Sequence, residues 1–491
     1  MKRLFHILLL CCISAAMLTA CESWESLEEH PKKVDASTFL SNAEEVQSVI
    51  NSMYSQLRRD PGFGRYLSVL PEALADYCYG RGNYGTSFTT GLTSGAITFT
   101  QDAWAVLYRT IRFGNEILSQ IDKAELTSLQ YDHLTGEVRY LRALSYAFLV
   151  KYFGGVPLSD ETNGTEFNKP RTPAPEIWQF VAREARAASE LLPENVVMAG
   201  RPSRYAALML LTEASLYLEA WDDAVAASSE IVNSGRYGLV QIASADDFED
   251  VYGIRANATK EEIFYFKYNR DEGAIFPWMY LCSPNPIFPT GALGVYTDYE
   301  KNNFIREWDN ADLRYQFSLY KQTENGTLNG LTRTGMICLK YRDRETDGSH
   351  FAVDFPLYRY ADALLYYAEA VCRRDGRPDA TAMEAVNQVR RRAYGLSPTS
   401  PQSVDYKLAD YATADAFLEL VLRERGYETI FEGKRYCDLK RCGKLAEYAV
   451  RAGRISAESE VGDAAYWWPI PTSEFNYNPL LDPTKDQNPG Y

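Results

Sequence analysis

Near the C-terminal end of the sequence, carboxylates recur every four residues, at Glu424, Glu428 and Glu432. Two carboxyl groups on either side of a bond are the machinery of glycoside hydrolysis, so this spacing raises the question of a glycosidase. Cations are interleaved with the glutamates, at Arg423, Arg425, Lys434 and Arg435. Opposite charges at such spacings favour ion pairs over the raised pKa that an acid catalyst needs. We therefore predict structural salt bridges on this helix rather than a catalytic pair.

Residues 80–85 match the glycine pattern GxGxxG of dinucleotide-binding turns. That chemistry needs a helix N-terminus after the glycines to receive a pyrophosphate. Residues 86–91 do not resemble a helix start, so we interpret the segment as a turn-rich loop. Walker, HExxH and GxSxG motifs are absent from the sequence, and His30, His133 and His350 lie far apart. The sequence therefore predicts no catalytic residues, no cofactor and no metal site.

The loop at residues 76–84 carries both kinds of group that a sugar requires. A sugar ring has an apolar C–H face, which stacks on Tyr or Trp, and a rim of hydroxyls, which bind Asn, Asp or Arg. The candidate ligand contacts in this loop are Asp76, Tyr77, Tyr79, Arg81, Asn83 and Tyr84. A second aromatic-rich stretch, residues 263–308, would complete the platform with Trp278, Tyr280 and Tyr296. Packing inside the loops is the alternative for each ring, and the sequence leaves it open.

Composition supports a recognition surface on a large globular core. The 35 tyrosines outnumber the 22 Phe and 8 Trp together, and such amphipathic rings suit a surface that stays partly hydrated. The chain has 491 residues, 46% of them hydrophobic, and a formal charge of −15. A field of this sign repels phosphate backbones, so we expect no nucleic-acid partner, and it disfavours polyanionic glycans.

Tryptophans within or beside apolar helical patterns are predicted to lie in the core: Trp104, Trp178, Trp221 and Trp308.

The N-terminus has the features of a lipoprotein signal. Lys2 and Arg3 precede an apolar run at residues 4–18, which is followed by Leu-Thr-Ala and Cys21. This ending resembles a bacterial lipobox, so we predict a signal peptide over residues 1–20 and acylation of Cys21. Residues 21–36 would form an acidic tether, which resembles the surface-export signal of lipoproteins in the Bacteroidetes. No later apolar stretch of about 18 residues follows, so acyl chains rather than a spanning helix would hold the protein to a bilayer.

Helical periodicity dominates the rest of the chain, and it must position the candidate loops. Apolar residues recur at three- and four-residue intervals over 43–57, 104–121, 137–153 and 177–192. Two helical hairpins follow, at 204–220 with 221–233 and at 358–372 with 381–394, and their small residues suit the close packing of tetratricopeptide-type pairs. Residues 93–100 have the β-branched content of a short strand. The predicted fold is mainly α, with tetratricopeptide-like hairpins against an irregular, loop-rich region that carries a few short strands.

Several segments, in a fixed order along the chain, resemble the SusD/RagB family of outer-membrane nutrient-binding lipoproteins of the Bacteroidetes. These segments are residues 152–158, the hairpin at 204–235, and residues 357–370, 386–393, 423–443, 469–471, 478–479 and 487–491. The family usually has aromatic residues where this chain has Cys437 and Cys442, which leaves the packing there open. The resemblance implies two regions after the tether, an N-terminal SusD-like helical region at 37–235 and a C-terminal SusD/RagB-like region at 236–491.

The resemblance also implies a function. Family members capture extracellular oligosaccharide, or sometimes peptide, and deliver it to a SusC-like TonB-dependent transporter that they cover as a lid. The expected protein is thus a non-enzymatic lipoprotein, anchored in the outer membrane and facing the outside of the cell. Two alternatives belong to other classes, a lipid-anchored glycoside hydrolase and a helical-repeat scaffold without a small ligand.

The six cysteines that remain after signal cleavage and acylation are predicted to be buried small apolar residues, with a long-range disulfide left open.

Overall fold

The computed structural model describes residues 40–164, 166, 168–196, 198–254, 256, 258–271, 278–282, 287–288, 291–321, 335–346 and 351–491, without the side chains of residues 279, 280 and 321. The predicted signal peptide, Cys21 and the tether up to residue 36 lie outside the described residues. Within the described part of the chain, no helix is both long enough and apolar enough to cross a membrane.

The N-terminal half is built from long antiparallel helices. They are α1 (Ala43–Arg58), α2 (Tyr66–Ala73), α3 (Ser94–Leu118), α4 (Ser128–Phe153), α5 (Ala174–Leu191), α6 (Arg204–Tyr217), α7 (Trp221–Asn233) and the short α8 (Glu249–Tyr252). Helix α4 begins at a capping box, in which Thr127 and Gln130 each bind the other's backbone N–H. It ends at Gly154, whose φ of 74° stops the helix. Successive helices from α3 to α7 pack against each other, which confirms the predicted hairpins.

The C-terminal half contains the remaining helices. They are α9 (Trp278–Leu281), α10 (Asn303–Arg306), α11 (Leu313–Ser318), α12 (Tyr360–Asp375), α13 (Ala380–Ala393), α14 (Ala414–Glu428), α15 (Arg435–Arg441), α16 (Leu445–Arg451), α17 (Thr472–Tyr477) and α18 (Pro483–Asp486). Helix α12 packs against both α7 and α13, so the second predicted hairpin continues the stack begun by the first. Buried side chains from both halves form one main core. The division at residue 235 stays a prediction.

Strands are few and short, and all of them pair antiparallel. They are β1 (Tyr79–Gly80), β2 (Thr86–Ser87), β3 (Gly91–Leu92), β4 (Glu262–Phe266), β5 (Val295–Asp298), β6 (Leu319–Lys321), β7 (Gly335–Cys338) and β8 (Phe355–Arg359). One sheet has the order β1-β5-β7-β6, and β2-β3 and β4-β8 form two-stranded ribbons. The mainly helical fold with a few short strands is therefore confirmed.

The strand predicted at residues 93–100 is wrong, because these residues begin helix α3. The Thr93 side chain accepts a hydrogen bond from the Ala96 N–H and so caps the helix. Its hydroxyl therefore acts as an N-cap, and that capping outweighs the β-branched content from which the strand was predicted. By contrast, the GxGxxG segment is the turn-rich loop that we predicted, with β1, a 3₁₀ turn at Gly82–Tyr84 and no helix start behind it.

A buried network of ion pairs confirms the structural interpretation of the three glutamates, but the prediction that one helix carries all three is wrong, because α14 ends at Glu428 and Glu432 lies beyond it. Glu424 pairs with Arg314 at 3.1 Å, and Glu428 pairs with Arg359 at 2.8 Å. Glu432 pairs with Lys340 at 2.6 Å and with Arg359 at 2.7 Å. Burial alone would raise the pKa of Glu428 and Glu432, but these cations hold both pKa values well below their usual range. Most of the partners come from distant elements, because the glutamates face the interior.

The cysteines and tryptophans occupy the predicted kinds of position, with two residues that are only partly buried. Cys78, Cys282, Cys338, Cys372 and Cys437 are buried free thiols, and Cys442 is half-buried. The Cys442 sulfur lies 3.4 Å from the guanidinium of Arg373 and so makes a polar contact. Three of the four predicted core tryptophans are buried, and Trp221 is half-buried.

Candidate functional site

The small four-stranded sheet brings the two predicted aromatic stretches together. Strand β1 pairs with β5 so that Tyr79 lies opposite Tyr296. The two rings stack with their centroids 5.3 Å apart and their planes 22° apart, and both are half-buried. A pair of this kind offers an apolar surface of more than one ring at the edge of the sheet. Two residues that are 217 positions apart in the sequence therefore form one aromatic platform.

Arg81 borders this platform, and the turn after β1 carries a second polar side chain. Arg81 is half-buried and Asn83 is exposed, and both follow directly after β1. Burial raises the pKa of the Tyr296 hydroxyl, and the nearby Tyr79 and Asp298 raise it further, whereas Lys301 and Arg81 oppose the shift. The phenol therefore stays protonated and can donate a hydrogen bond at neutral pH. Together these groups supply both donors and acceptors beside the aromatic surface.

Arg454 supports the platform from the C-terminal part of the chain. Its guanidinium carbon lies 4.1 Å from the centroid of the Tyr79 ring. It also donates hydrogen bonds to the backbone carbonyl of Ala75, at 2.9 Å, and to that of Cys78. A cation over the ring and bonds to the preceding backbone fix where Tyr79 points. The sequence gives no local signal for this residue, since it lies 379 positions from Ala75 and 376 positions from Cys78.

Three predicted contacts are buried in the core and do not reach the platform surface. The carboxylate of Asp76 is paired with the Arg435 guanidinium at 2.9 Å, and both side chains are fully buried. The Tyr77 hydroxyl donates to Glu72 and accepts from the Phe431 N–H at 2.9 Å. Trp278 is also fully buried. At these three positions the alternative interpretation, packing inside the loop, is therefore correct. A buried ring or a buried and paired charge stabilises the loop from within and is not accessible to a ligand.

Tyr84 and Tyr280 are the two remaining candidate ligand contacts. Tyr84 is 7% exposed, and its ring packs 5.3 Å from that of Phe99 on α3, so it anchors the loop to the helix. Tyr280 lies in α9, but its side chain falls outside the described residues. Of the predicted set, the structure therefore brings together Tyr79, Arg81 and Tyr296, and Asn83 is exposed on the turn that follows.

Two further observations limit the chemistry of the described residues. In the part of the chain that the structure describes, no group of three or more His, Cys, Asp or Glu side chains is arranged to hold a metal ion. A groove of about 630 Å³ lies between α1, the start of α4 and residues 192–202, and its lining includes Asn51, His133, Met198 and Arg201. No Phe, Tyr or Trp is among the described residues that line this groove, so we do not assign it to sugar stacking.

Comparisons with known proteins agree on one family. A family model described as "SusD family" matches residues 294–491, and one described as "Starch-binding associating with outer membrane" matches residues 25–218. A curated relative, SusD-like protein P2 of Formosa agariphila, is 25% identical over 506 aligned residues, covering 95% of this chain and 96% of the relative. SusD-like protein P38 of the same organism is 25% identical and covers 77% of this chain and 78% of the relative.

Solved structures share the fold at lower identity. A SusD homologue from Bacteroides thetaiotaomicron superposes with a TM-score of 0.76 at 21% identity, covering 94% of this chain and all of that one. Surface glycan-binding protein A from the same organism superposes with a TM-score of 0.71 at 21% identity, covering 92% of this chain and all of that one. At these identities the likeness establishes a common architecture over nearly the whole chain.

Proposed function

This chain belongs to the SusD/RagB family, and from that premise we propose that it binds extracellular oligosaccharide without cleaving it. We further propose that it is anchored through Cys21 at the outside of the outer membrane and delivers its ligand to a SusC-like TonB-dependent transporter. The observation that carries the binding proposal is the half-buried Tyr79–Tyr296 pair with Arg81 near the Tyr296 hydroxyl. Support from relatives is of two kinds, the family description that names starch binding in association with the outer membrane and a structural neighbour that is named as a surface glycan-binding protein.

The chemistry of the platform suits a sugar. The C–H face of a pyranose ring would lie against the exposed parts of the tyrosine rings, which removes apolar surface from water on both sides. The ring hydroxyls would then meet the Arg81 guanidinium, the Asn83 amide and the Tyr296 phenol at the rim. With a formal charge of −15 on the chain, neutral glycans are the favoured class.

The proposal is tested by calorimetric titration of the purified chain with a panel of neutral and acidic oligosaccharides and extended peptides. Tyr296→Ala and Tyr79→Ala should each weaken the affinity for the bound glycan about tenfold or more, because each removes half of the stacked surface; tenfold corresponds to about 1.4 kcal/mol. Tyr477→Ala is the matched control, since Tyr477 lies on α17, outside both strands, with 83% of its surface exposed. The affinity of the Tyr477→Ala variant for the glycan should equal that of the unmodified chain.

The other outcomes separate the alternatives. Unchanged affinity in both platform variants would remove the site and leave glycan binding standing. Sugar products released from the panel by the chain alone would establish the hydrolase. A panel without binding, together with a co-purifying transporter, would favour the helical-repeat scaffold, and binding of peptides alone would change the ligand class.

A further inference from the structure

The loop that carries the platform continues into a ribbon that is held by the end of the chain. This ribbon, β2 with β3, spans residues 86–92 directly after Asn83 and Tyr84. The backbone N–H of Leu92 donates to the hydroxyl of Tyr491, at 3.1 Å. The same hydroxyl donates to the carbonyl of Ala464, at 3.0 Å. One phenol therefore joins the ribbon to residues 462–465 of the C-terminal segment.

Glycines on both sides of this joint allow a closer approach than any side chain would permit. Gly91 has a φ of 73°, and a Cβ added there would lie 2.6 Å from the Tyr491 hydroxyl. The Gly462 N–H donates to the carbonyl of Phe88 at 2.9 Å, and a Cβ on Gly462 would collide with the carbonyl of Thr89. Backbone packed this tightly leaves the ribbon little freedom to move.

Arg454 connects the same joint to the platform. Its guanidinium carbon lies 5.0 Å from the centroid of Phe88 on the ribbon and 4.1 Å from that of Tyr79 on the platform. Its two bonds to the carbonyls of Ala75 and Cys78 tie it to the strand that carries Tyr79. The C-terminal segment thus touches the loop before, at and after the aromatic platform.

We propose that Arg454 and Tyr491, which we call the C-terminal clamp, are positioning residues that hold the 79–92 loop in its ligand-binding geometry. The inference rests on the proposed function and extends it, because Tyr491 binds the ribbon and not the platform, and Arg454 bonds to the backbone carbonyls that precede Tyr79. A loop that is already fixed loses less conformational freedom on binding, so the clamp raises affinity without adding a contact. Removing the clamp should then weaken binding even though every platform side chain is present.

The test uses the full chain and a glycan identified with the panel above. Tyr491→Phe removes one hydroxyl and keeps the ring, and Arg454→Lys keeps the charge and removes the planar fork. We expect each variant to bind about three- to tenfold more weakly than the unmodified chain. Amide hydrogen exchange at residues 86–92 should be faster in the free variants and should slow to the unmodified rate when the glycan is bound. Tyr477→Phe is the matched control, in which both quantities should be unchanged.

The outcomes separate this inference from the function on which it rests. Unmodified affinity in Tyr491→Phe and Arg454→Lys, with binding lost in Tyr296→Ala, would overturn the clamp alone. Faster exchange in the free variants with no change in affinity would mean that the clamp serves stability only, which also overturns it. If the unmodified chain binds no glycan, the proposed function fails and the inference fails with it.

Discussion

At the scale of single residues, Asp76 illustrates how a side chain suited to ligand binding can serve the core instead. Both oxygens of its carboxylate accept hydrogen bonds from Arg435, at 3.0 and 2.9 Å, and neither partner has access to solvent. A buried charge that loses its partner is left uncompensated, which typically costs about 3–5 kcal/mol of folding free energy. Asp76 therefore contributes to the site only through the stability of the loop.

We predict that Asp76→Asn lowers the free energy of unfolding by about 3 kcal/mol, because the buried Arg435 then lacks its counter-charge. Urea denaturation followed by circular dichroism measures the change. The control is Asp375→Asn, which breaks the exposed pair with Arg374 and should leave the denaturation midpoint unchanged. Glycan affinity in Asp76→Asn, measured well below its unfolding temperature, should stay within about threefold of the unmodified value. A large loss of affinity with unchanged stability would return Asp76 to the ligand contacts.

At the scale of elements, the β2–β3 ribbon depends on one glycine at its joint with the chain end. Gly91 and Gly235 both have positive φ, 73° and 68°, so alanine strains the backbone at either position by about 1–2 kcal/mol. They differ in their surroundings, since a Cβ at Gly91 would press on Tyr491 and Ala464, whereas one at Gly235 would meet nothing within 4 Å.

This contrast predicts that Gly91→Ala weakens glycan binding at least threefold, because the ribbon must move away from the chain end. Gly235→Ala carries the same kind of strain outside the site and should bind as the unmodified chain does. Titration calorimetry on the two variants decides between the expectations. Equal affinity in both would show that the position of the ribbon does not matter for the ligand.

At the scale of the whole molecule, the helical stack and the loop region have separate tasks in the proposal. The resemblance to SusD/RagB proteins implies that the tetratricopeptide-like helices would face the transporter, and we propose that the platform faces the ligand. In the proposal, a single acylated cysteine keeps the whole assembly at the membrane.

We predict that Cys21→Ala releases the protein from the membrane fraction of the producing cell, because the only proposed anchor is lost. Fractionation of cells that make either chain, followed by immunoblotting, measures the change. Cys442→Ala is the control, since this half-buried thiol has no proposed role in anchoring. Protease treatment of intact cells should digest the unmodified protein and so report whether it faces outside. Full membrane retention of Cys21→Ala would contradict the anchor.

The sequence by itself determined the helical class, the hairpins, the turn-rich character of residues 80–85 and the structural use of Glu424, Glu428 and Glu432. The first three follow from local information, that is, apolar spacing and punctuation by Gly and Pro. The glutamates are structural as predicted, but most of their partners are distant cations rather than the neighbouring ones from which the prediction was made. The strand predicted at residues 93–100 failed because one side-chain hydrogen bond, from the Ala96 N–H to Thr93, outweighs β-branched content.

Only the tertiary structure decided which aromatic rings reach the surface. Tyr77 and Tyr79 are two positions apart in the same loop, yet one is fully buried and the other is half-buried against Tyr296. The exposure of each ring depends on which side chains pack against the loop from positions 296, 431, 454 and 491. No local sequence pattern encodes those distant partners. Burial is a property of the assembled core, so the sequence supplied the candidates and long-range packing selected among them.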